Sequence, residues 1–289
     1  MTHTLIPPAG LAPSTLYVVA TPIGNLGDIS HRALLILGQV DWIAAEDTRH
    51  SQRLLNHFAI TTPLIALHEH NELAQVPRLV AQLQAGQTGA LISDAGTPLI
   101  SDPGFPLVRE LRRQGLAVCA VPGPSSVMAA LSIAGLPCER FSFEGFLPSR
   151  SAARQRRLAE LATHPQTLVF FESPHRIVAA MQDLVAVFGV ERPACLAREL
   201  TKTFEQSHVA PLGALLDWLQ AAPERQRGEC VVIVQGANTQ PETCEQERLL
   251  RIVLRELPLK RAVAVAAELS GGQRNKLYKM ALALNAESK

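Results

Sequence analysis

Aromatic side chains make up only 4% of the 289 residues, and the charges nearly cancel, at 27 Lys and Arg against 26 Asp and Glu. The low aromatic content disfavours a single-strand nucleic-acid binder built on stacking platforms. The net charge of +1 gives no overall attraction to nucleic acid. No apolar run approaches the length of a membrane span, and no basic-then-apolar signal sequence opens the chain. We therefore expect a cytoplasmic protein without a membrane partner, beginning with a loose segment at residues 1–14.

The five cysteines are scattered, and none of them forms a C-x-x-C pair. Because four lie in or beside apolar segments, we expect reduced core thiols rather than disulfides or a zinc site. The signatures G-x-G-x-x-G and G-x-x-x-x-G-K-[ST] are also missing, so dinucleotide and P-loop assignments lack their motif. His68-x-His70 with nearby carboxylates resembles a metal fragment, but no second cluster completes it, and we predict no metal.

The first half of the chain alternates short apolar runs with polar turns and helical patterns. The central stretch, Leu91–Gly104, passes from an apolar run into a turn rich in Gly and Pro and then into the start of a helix. Pro122–Ser126 follows a later run in the same way. Such alternation predicts a mostly parallel sheet, and the turns at the carboxyl ends of its strands are where such sheets bind small ligands.

After Ser126 the pattern changes, because strand-like runs follow one another almost directly. A second sheet, mixed or antiparallel, is therefore expected, together with a helix that begins at Ser173-Pro174 and runs to about Phe188. The sequence thus predicts an α/β protein with a loose start, two α/β domains with a cleft between them and a small helical appendage. The expected bounds are residues 1–14, 15–124, 125–236 and 245–289, with a polar linker at Ala237–Cys244.

Two segments are locally basic although the whole chain is nearly neutral. Pro148–Arg157 carries four arginines and no acid, and the tail from Gln246 carries nine Lys and Arg against four acids, a local charge of +5. Basic helical segments of this kind favour contact with RNA, although a solvated helix surface has the same composition. The candidate RNA contacts are Arg150, Arg154, Arg156, Arg157, Lys260, Arg261, Arg274, Lys276 and Lys279.

Six motifs together resemble one family, the tetrapyrrole methylase superfamily of class III S-adenosylmethionine methyltransferases. Within it the chain is similar to the bacterial small-subunit ribosomal RNA methyltransferases that act on the 2′-hydroxyl of a cytidine in the decoding region. The resemblance covers about residues 15–284. The motifs are Tyr17–Asp28, Ala44–Arg49, Ser93–Pro98, Pro122–Ser126, Phe170–Pro174 and Ala197–Lys202.

The resemblance implies two α/β domains, with S-adenosylmethionine in the cleft between them, usually within a homodimer. The implied substrate is small-subunit ribosomal RNA, either free or in the 30S subunit. The implied cofactor contacts are Pro22, Gly24, Asp94, Ala95, Gly96, Thr97, Ile100, Ser125, Ser126, Phe171 and Ala197.

Transfer of a methyl group to a ribose hydroxyl requires the hydroxyl to lose its proton during attack. A carboxylate, or a lysine with a lowered pKa, can take that proton, while an arginine can hold a phosphate or orient a carboxylate. The candidate catalytic residues are Glu46, Asp47, Arg49, Glu199 and Lys202. The resemblance does not identify the base, and a structural ion pair explains each of these residues equally well.

Two other functions remain open at this stage. The acceptor could be a tetrapyrrole or another small molecule, or the protein could be an RNA-binding assembly factor that retains a vestigial donor site. The basic segments favour an RNA acceptor, and intact Asp94, Gly96 and Gly123 argue against a vestigial site.

Overall fold

The computed structural model describes residues 10–237 and 241–287. The first domain is a five-stranded sheet in the order β3-β2-β4-β1-β5, with every neighbouring pair parallel. Four helices follow its strands, which confirms the predicted parallel sheet. The elements are β1 (Thr15–Val19), α1 (His31–Leu37), β2 (Trp42–Ala45), α2 (Thr48–His57), β3 (Leu64–Ala66), α3 (Glu72–Gln84), β4 (Gly89–Ile92), α4 (Phe105–Arg113) and β5 (Ala117–Val121).

Both faces of this sheet are covered because adjacent residues along each strand point to opposite sides. On β1, Leu16 packs with α3 and α4, whereas Tyr17 packs with α1 and α2. Burial on two faces explains why the central strands are continuous apolar runs. It also leaves the carboxyl ends of the strands, where the polar turns begin, as the open edge of the domain.

The second domain contains a mixed sheet, as predicted, in the order β6-β7-β10-β8-β9. Only the β6–β7 pair is parallel. Its elements are α5 (Ser126–Ile133), β6 (Phe141–Phe146), α6 (Ser151–Leu161), β7 (Thr167–Glu172), α7 (Ile177–Phe188), β8 (Pro193–Arg198), β9 (Gln206–Pro211), α8 (Leu212–Gln220) and β10 (Cys230–Val234).

Helix α5 packs on one face of the second sheet, and α6, α7 and α8 pack on the other. Val127 and Ala130 of α5 share a cluster with Val169 and Ile233 of the sheet. The chain therefore passes from the first sheet to the second between Val121 and Ser126.

Two local predictions are wrong. Helix α7 begins at Ile177 rather than at Pro174, because Ser173–Arg176 forms a separate turn, in which the N–H of Arg176 donates to the carbonyl of Ser173 at 3.0 Å. Cys119 and Cys138 are exposed, since β5 is an edge strand and Cys138 lies in the loop before β6. Cys195 and Cys230 are buried thiols, as expected.

The tail forms three helices, α9 (Pro241–Val253), α10 (Leu259–Ser270) and α11 (Arg274–Glu287). They enclose an apolar core of their own, which includes Leu250, Val263 and Leu277. The predicted linker is too long at its carboxyl side, because α9 starts at Pro241, a residue suited to the first turn of a helix. Residues 238–240 and most of the predicted loose start lie outside the described part. Among the described helices, none is long and apolar enough to cross a bilayer.

Candidate active site

A cavity of about 270 Å³ lies where the strand ends of the two sheets face each other. Residues of both domains form its wall, so neither domain has the site alone. The apolar part includes Ile23, Phe171 and Val231, and the polar part includes Asp102 and Glu172. An apolar slot with a few polar groups is the usual character of a small-molecule site. The other lining residues are Ala95, Ser101, Ser126, Phe146, Ser173, Pro174, Leu200, Glu229 and Cys230.

The turns of the first domain are tied to one another by hydrogen bonds. Thr21 and Gly96 exchange two backbone hydrogen bonds, at 2.9 and 3.0 Å, and the Thr21 hydroxyl donates to the carbonyl of Ser93 at 3.2 Å. The Thr97 hydroxyl donates to the carbonyl of Pro124 at 3.1 Å. Three turns are thus held as one unit, and the cavity wall is preorganised. The backbone N–H and C=O of Gly96 are already engaged there.

Three of the implied cofactor residues line the cavity, namely Ala95, Ser126 and Phe171. Gly24 is instead covered by the aliphatic part of Lys202, so any larger residue there would collide with it. Ala197 is fully buried in the core under α5. The Ser125 hydroxyl caps α5 by accepting from the N–H of Met128 at 3.5 Å.

The remaining implied cofactor residues surround the wall without forming it. Asp94 accepts a hydrogen bond from the N–H of Asp47 at 3.1 Å, which joins the turns after β2 and β4. Pro22 is buried beside Ile23, and Ile100 is exposed. Leu99 and Ser101, on either side of Ile100, have positive φ angles of 73° and 70°. Ordinary side chains rarely adopt this conformation, and such strain is often found at functional sites.

Carboxylates with raised pKa values gather at the open edge of the first sheet. Burial, followed by the charges of Asp102 and Asp94, raises the pKa of Glu46 to about 7. Burial also raises the pKa of Asp102, and the charge of Asp94 adds to this, although a hydrogen bond with Ser93 opposes it. Of these carboxylates, Asp102 lines the cavity. A carboxylate that is more basic than usual and faces a cavity is suited to accept a proton.

Asp47 and Arg49, also candidates from the sequence, have a structural explanation. Asp47 is the N-cap of α2, where its carboxylate accepts from the N–H groups of Arg49 and His50 at 2.8 and 3.3 Å. These hydrogen bonds lower the pKa of Asp47, which makes it a weak base. Arg49 is exposed on the first turn of α2.

Glu199 and Lys202 form an ion-paired cluster with Glu229. The ammonium of Lys202 lies 2.9 Å from Glu199 Oε1 and 3.0 Å from Glu229 Oε2. Burial alone would raise the pKa of Glu199, but hydrogen bonds from Lys202 and from the backbone of Glu229 lower it overall. Burial likewise opposes the charge on Lys202, yet its two carboxylate partners raise its pKa. Neither residue is then a good proton acceptor.

Arg154 is a wrong candidate for RNA contact, because its side chain is only 3% exposed. Its Nε lies 2.7 Å from Asp183, and its other nitrogens donate to the carbonyls of Pro148, Ser149 and Ala179. This arginine joins α6 to α7 and to the chain before α6.

The other basic candidates are at the surface. Arg150 and Arg156 are exposed, and Arg157 is 45% exposed while paired with Glu144 and Glu160. The five candidates of the tail are exposed on α10 and α11, namely Lys260, Arg261, Arg274, Lys276 and Lys279.

Sequence reasoning missed Asp102 and Phe146. Asp102 lies within Leu91–Gly104, which the sequence marks only as a turn before a helix, and none of the six motifs contains Phe146. The available signal was their position, since Phe146 ends a strand and Asp102 lies in the turn between a strand and the next helix, where such sheets bind ligands. As for metals, residues 10–237 and 241–287 contain no group of three or more His, Cys, Asp or Glu that could hold an ion.

Comparison with known proteins gives two family matches. Residues 15–216 match the model of the tetrapyrrole (corrin/porphyrin) methylases, and residues 240–285 match the model of the RsmI C-terminal HTH domain. The chain is 53% identical to ribosomal RNA small subunit methyltransferase I of Pseudomonas aeruginosa, over 94% of this chain and 98% of that protein. Its Escherichia coli O157:H7 namesake is 52% identical, over 92% and 94% of the two chains.

A solved structure shares the fold at much lower identity. Uroporphyrin-III C-methyltransferase from Thermus thermophilus, complexed with S-adenyl homocysteine, superposes with a TM-score of 0.53 at 18% identity. The superposition covers 76% of this chain and 97% of that one. The two-domain architecture is therefore common to both, whereas part of this chain has no counterpart in that enzyme.

Proposed function

The chain belongs to the tetrapyrrole (corrin/porphyrin) methylase family, and from this premise we propose that it methylates small-subunit ribosomal RNA with S-adenosylmethionine as donor. The observation that carries this proposal is the identity of about half of all residues to proteins named ribosomal RNA small subunit methyltransferase I, over more than nine tenths of the chain. The proposed acceptor is the 2′-hydroxyl of a cytidine in the decoding region, as the motif resemblance implies.

The cavity fits such a donor in character. Its apolar wall at Ile23, Phe171 and Val231 suits an adenine ring, and its polar part suits the charged methionine end. When bound, S-adenosylmethionine supplies a methyl group that its sulfonium already activates. The interlocked turns around Thr21 and Gly96 hold the walls in place, so that the acceptor can be aligned without reorganisation of the protein.

Asp102 is the proposed acceptor of the ribose proton. It lines the cavity, and its raised pKa makes it a stronger base than an exposed aspartate. Glu46 is proposed to adjust that basicity: when Glu46 is ionised, its negative charge lies near Asp102 and favours the protonated form of Asp102. The proton of the hydroxyl would pass to the Asp102 carboxylate as the oxygen–methyl bond forms and the sulfur–methyl bond breaks.

RNA would be held by the exposed arginines of α6 and by the basic tail. Arg150 and Arg156 of the second domain and Lys260, Arg261 and Lys279 of the tail are suited to contact phosphates. We further propose that the protein works in the cytoplasm as a homodimer, which light scattering of the purified protein would test.

A tetrapyrrole acceptor is the second candidate, and it rests on the shared fold alone. The solved uroporphyrin enzyme is only 18% identical, and its superposition leaves about a quarter of this chain unmatched. The basic tail has no evident task with a porphyrin, which favours the RNA acceptor.

The deciding experiment is transfer of labelled methyl from S-adenosylmethionine to unmodified 30S subunits, to naked small-subunit RNA and to uroporphyrinogen. We expect label in RNA, on one cytidine whose modified ribose resists nuclease and alkali. Label in uroporphyrinogen alone would establish the second candidate. Label in no acceptor, with donor binding intact, would contradict both.

A further inference from the structure

Phe146 is an exposed aromatic side chain at the rim of the cavity. It is the last residue of β6, it lines the cavity, and it is 56% exposed. Phe143 on the same strand and Phe171 on the neighbouring strand are partly buried in the core. The Phe146 ring meets the Phe171 ring edge to face, with centroids 5.6 Å apart and an interplanar angle of 63°. Its own face is therefore not stacked on Phe171.

A β-bulge directs Phe146 to this position. Phe143 pairs with Val169, but the next paired residue of β6 is Gly145, opposite Phe170, so Glu144 is the additional residue. Gly145 has a φ of 65°, which glycine adopts without strain. Bulges of this kind bend a strand and redirect side chains, often beside active sites. Without the bulge, Phe146 would fall on the opposite face of β6.

The backbone on both sides of Phe146 is anchored. The Glu144 carboxylate, 9% exposed, lies 2.7 Å from Arg157 of α6. Leu147 is 4% exposed, and its carbonyl accepts from the guanidinium of Arg176. The ring is therefore held at the rim with more than half of it exposed, so it gains only part of the stabilisation that full burial of a Phe side chain gives.

The opposite side of the rim belongs to the first domain. A side chain at Gly145 would come within 3.5 Å of the Ser101 hydroxyl, so β6 and the loop before α4 approach each other closely. That loop carries Asp102 into the same cavity that Phe146 lines. An aromatic face and a carboxylate of raised pKa thus border one space, and Arg157 of α6 is paired with Glu144, two residues before Phe146.

We propose that Phe146 stacks on the base of the acceptor nucleotide after that base has left the RNA stack. This inference rests on the proposed function and specifies how its substrate is held. Sequence-specific recognition of RNA mostly targets loops, bulges and ends, where unstacked bases are commonly held on aromatic faces. With the base on Phe146, the attached ribose can point its 2′-hydroxyl toward Asp102, and the flanking phosphates lie near Arg150 and Arg157.

Stacking accepts any base, so Phe146 would select for an extruded nucleotide rather than for cytosine. Its contribution should appear in the use of RNA and not in the binding of the donor, which distinguishes it from Phe171 beneath it. A residue of the donor pocket would affect both.

The test compares Phe146→Ala, Phe146→Leu and Phe146→Tyr with wild type, and uses Phe204→Ala as matched control. Phe204 is 72% exposed and does not line the cavity. Steady-state kinetics on 30S subunits and calorimetric binding of S-adenosylmethionine are measured for each. We expect the alanine and leucine variants to lose about 5- to 150-fold in kcat/KM, the range that loss of one stacked base produces. The tyrosine variant should stay within about threefold of wild type, because tyrosine keeps an aromatic face at position 146. The Phe204 control should stay within the same range, because it leaves Phe146 unchanged.

Donor affinity should be unchanged in all four variants. Three outcomes would overturn the inference: full activity of the alanine variant, full rescue by leucine, which would mean plain apolar packing, or an equal loss of donor affinity, which would place Phe146 in the donor pocket. Failure of wild type to label RNA would instead overturn the proposed function itself, so the two failures are distinguishable.

Discussion

The two sheet edges that face each other across the cavity differ in the surroundings of their carboxylates. At the edge of the first sheet, Glu46 and Asp102 lie near other carboxylates, and burial raises the pKa values of both. At the edge of the second sheet, Glu172 pairs with Arg176, and Glu199 pairs with Lys202. This difference suits the first domain to the proposed role of accepting a proton, whereas the second domain pairs its acids with basic side chains.

This division is not visible in the local sequence. Glu46-Asp47-Thr48-Arg49 and Arg198–Lys202 both place acids beside bases at the end of a strand. In the first motif, the arginine lies exposed in the first turn of a helix, and Glu46 keeps acidic neighbours. In the second, a tight turn with positive φ at Glu199 and Thr201 brings Lys202 back onto Glu199. The path of the chain therefore decides which acid is neutralised.

Removing the proposed base, Asp102, should have the largest effect. We expect Asp102→Asn to lower kcat about 10²- to 10⁴-fold, the usual contribution of general base catalysis, with little change in donor affinity. Asp217→Asn, an exposed residue of α8, is the control. The measurement is single-turnover methylation of 30S subunits. If Asp102→Asn kept the wild-type rate, another group would have to accept the ribose proton.

Breaking a buried ion pair of the second domain should affect stability instead. Arg154→Ala leaves Asp183 without its guanidinium, and we expect the free energy of unfolding to fall by about 3–5 kcal/mol. Arg156→Ala, on the exposed side of the same helix, should change stability by less than about 0.5 kcal/mol. It should instead weaken RNA binding and reduce the salt slope of that binding by about 1.

For both variants, denaturant unfolding measures the free energy of unfolding, and salt titrations measure RNA binding and its salt slope. If Arg154→Ala were as stable as wild type and deficient in RNA binding, Arg154 would have to reach the RNA after all.

Deleting residues 238–289 should leave both sheets folded, since the described tail residues cluster among themselves. We expect donor affinity to persist and RNA affinity to fall about 10-fold or more, because several phosphate contacts are lost and each contributes to the salt-dependent binding. Circular dichroism, calorimetry with S-adenosylmethionine and RNA binding at two salt concentrations check this. An unfolded product would show that the tail supports the core.

The smallest expected effect is on pH dependence. The pKa of Glu46 is about 7, so wild-type kcat should rise as pH increases through 7, where Glu46 gains its charge near Asp102. Glu46→Gln should flatten this rise by a few fold, whereas exposed Glu139→Gln should not. If kcat of Glu46→Gln rose with pH as steeply as that of wild type, the rise would have to come from another group.

Stability gives an independent check on Glu46. A raised pKa in the folded state favours the protonated carboxyl, so its stabilising contribution is complete below the unfolded value and is lost as pH rises through about 7. The melting temperature of Glu46→Gln, relative to that of wild type, should therefore increase as the pH is raised from 5 to 8. A constant difference would mean that Glu46 has an ordinary pKa.

Much of the fold could be predicted because its determinants are local. Strand-like runs that end in Gly/Pro turns, as at Leu91–Gly104, specify parallel strands with an open ligand edge. The start of α7 could not be predicted: Ser173-Pro174 has the residues of a helix start, but a separate turn precedes the helix. Arg154 shows the same limit, since its neighbours in sequence give no sign that Asp183 lies 2.7 Å away.

The sequence by itself determined the two sheets, their loops, the basic segments and the family, because strand periodicity, turn residues and long ordered motifs are properties of contiguous residues. Tertiary structure alone decided which carboxylates keep a raised pKa, which arginine is buried and which aromatic ring stands at the rim. Those properties depend on burial and on charges from distant parts of the chain, and the bulge at Glu144 exists only because β6 pairs with β7.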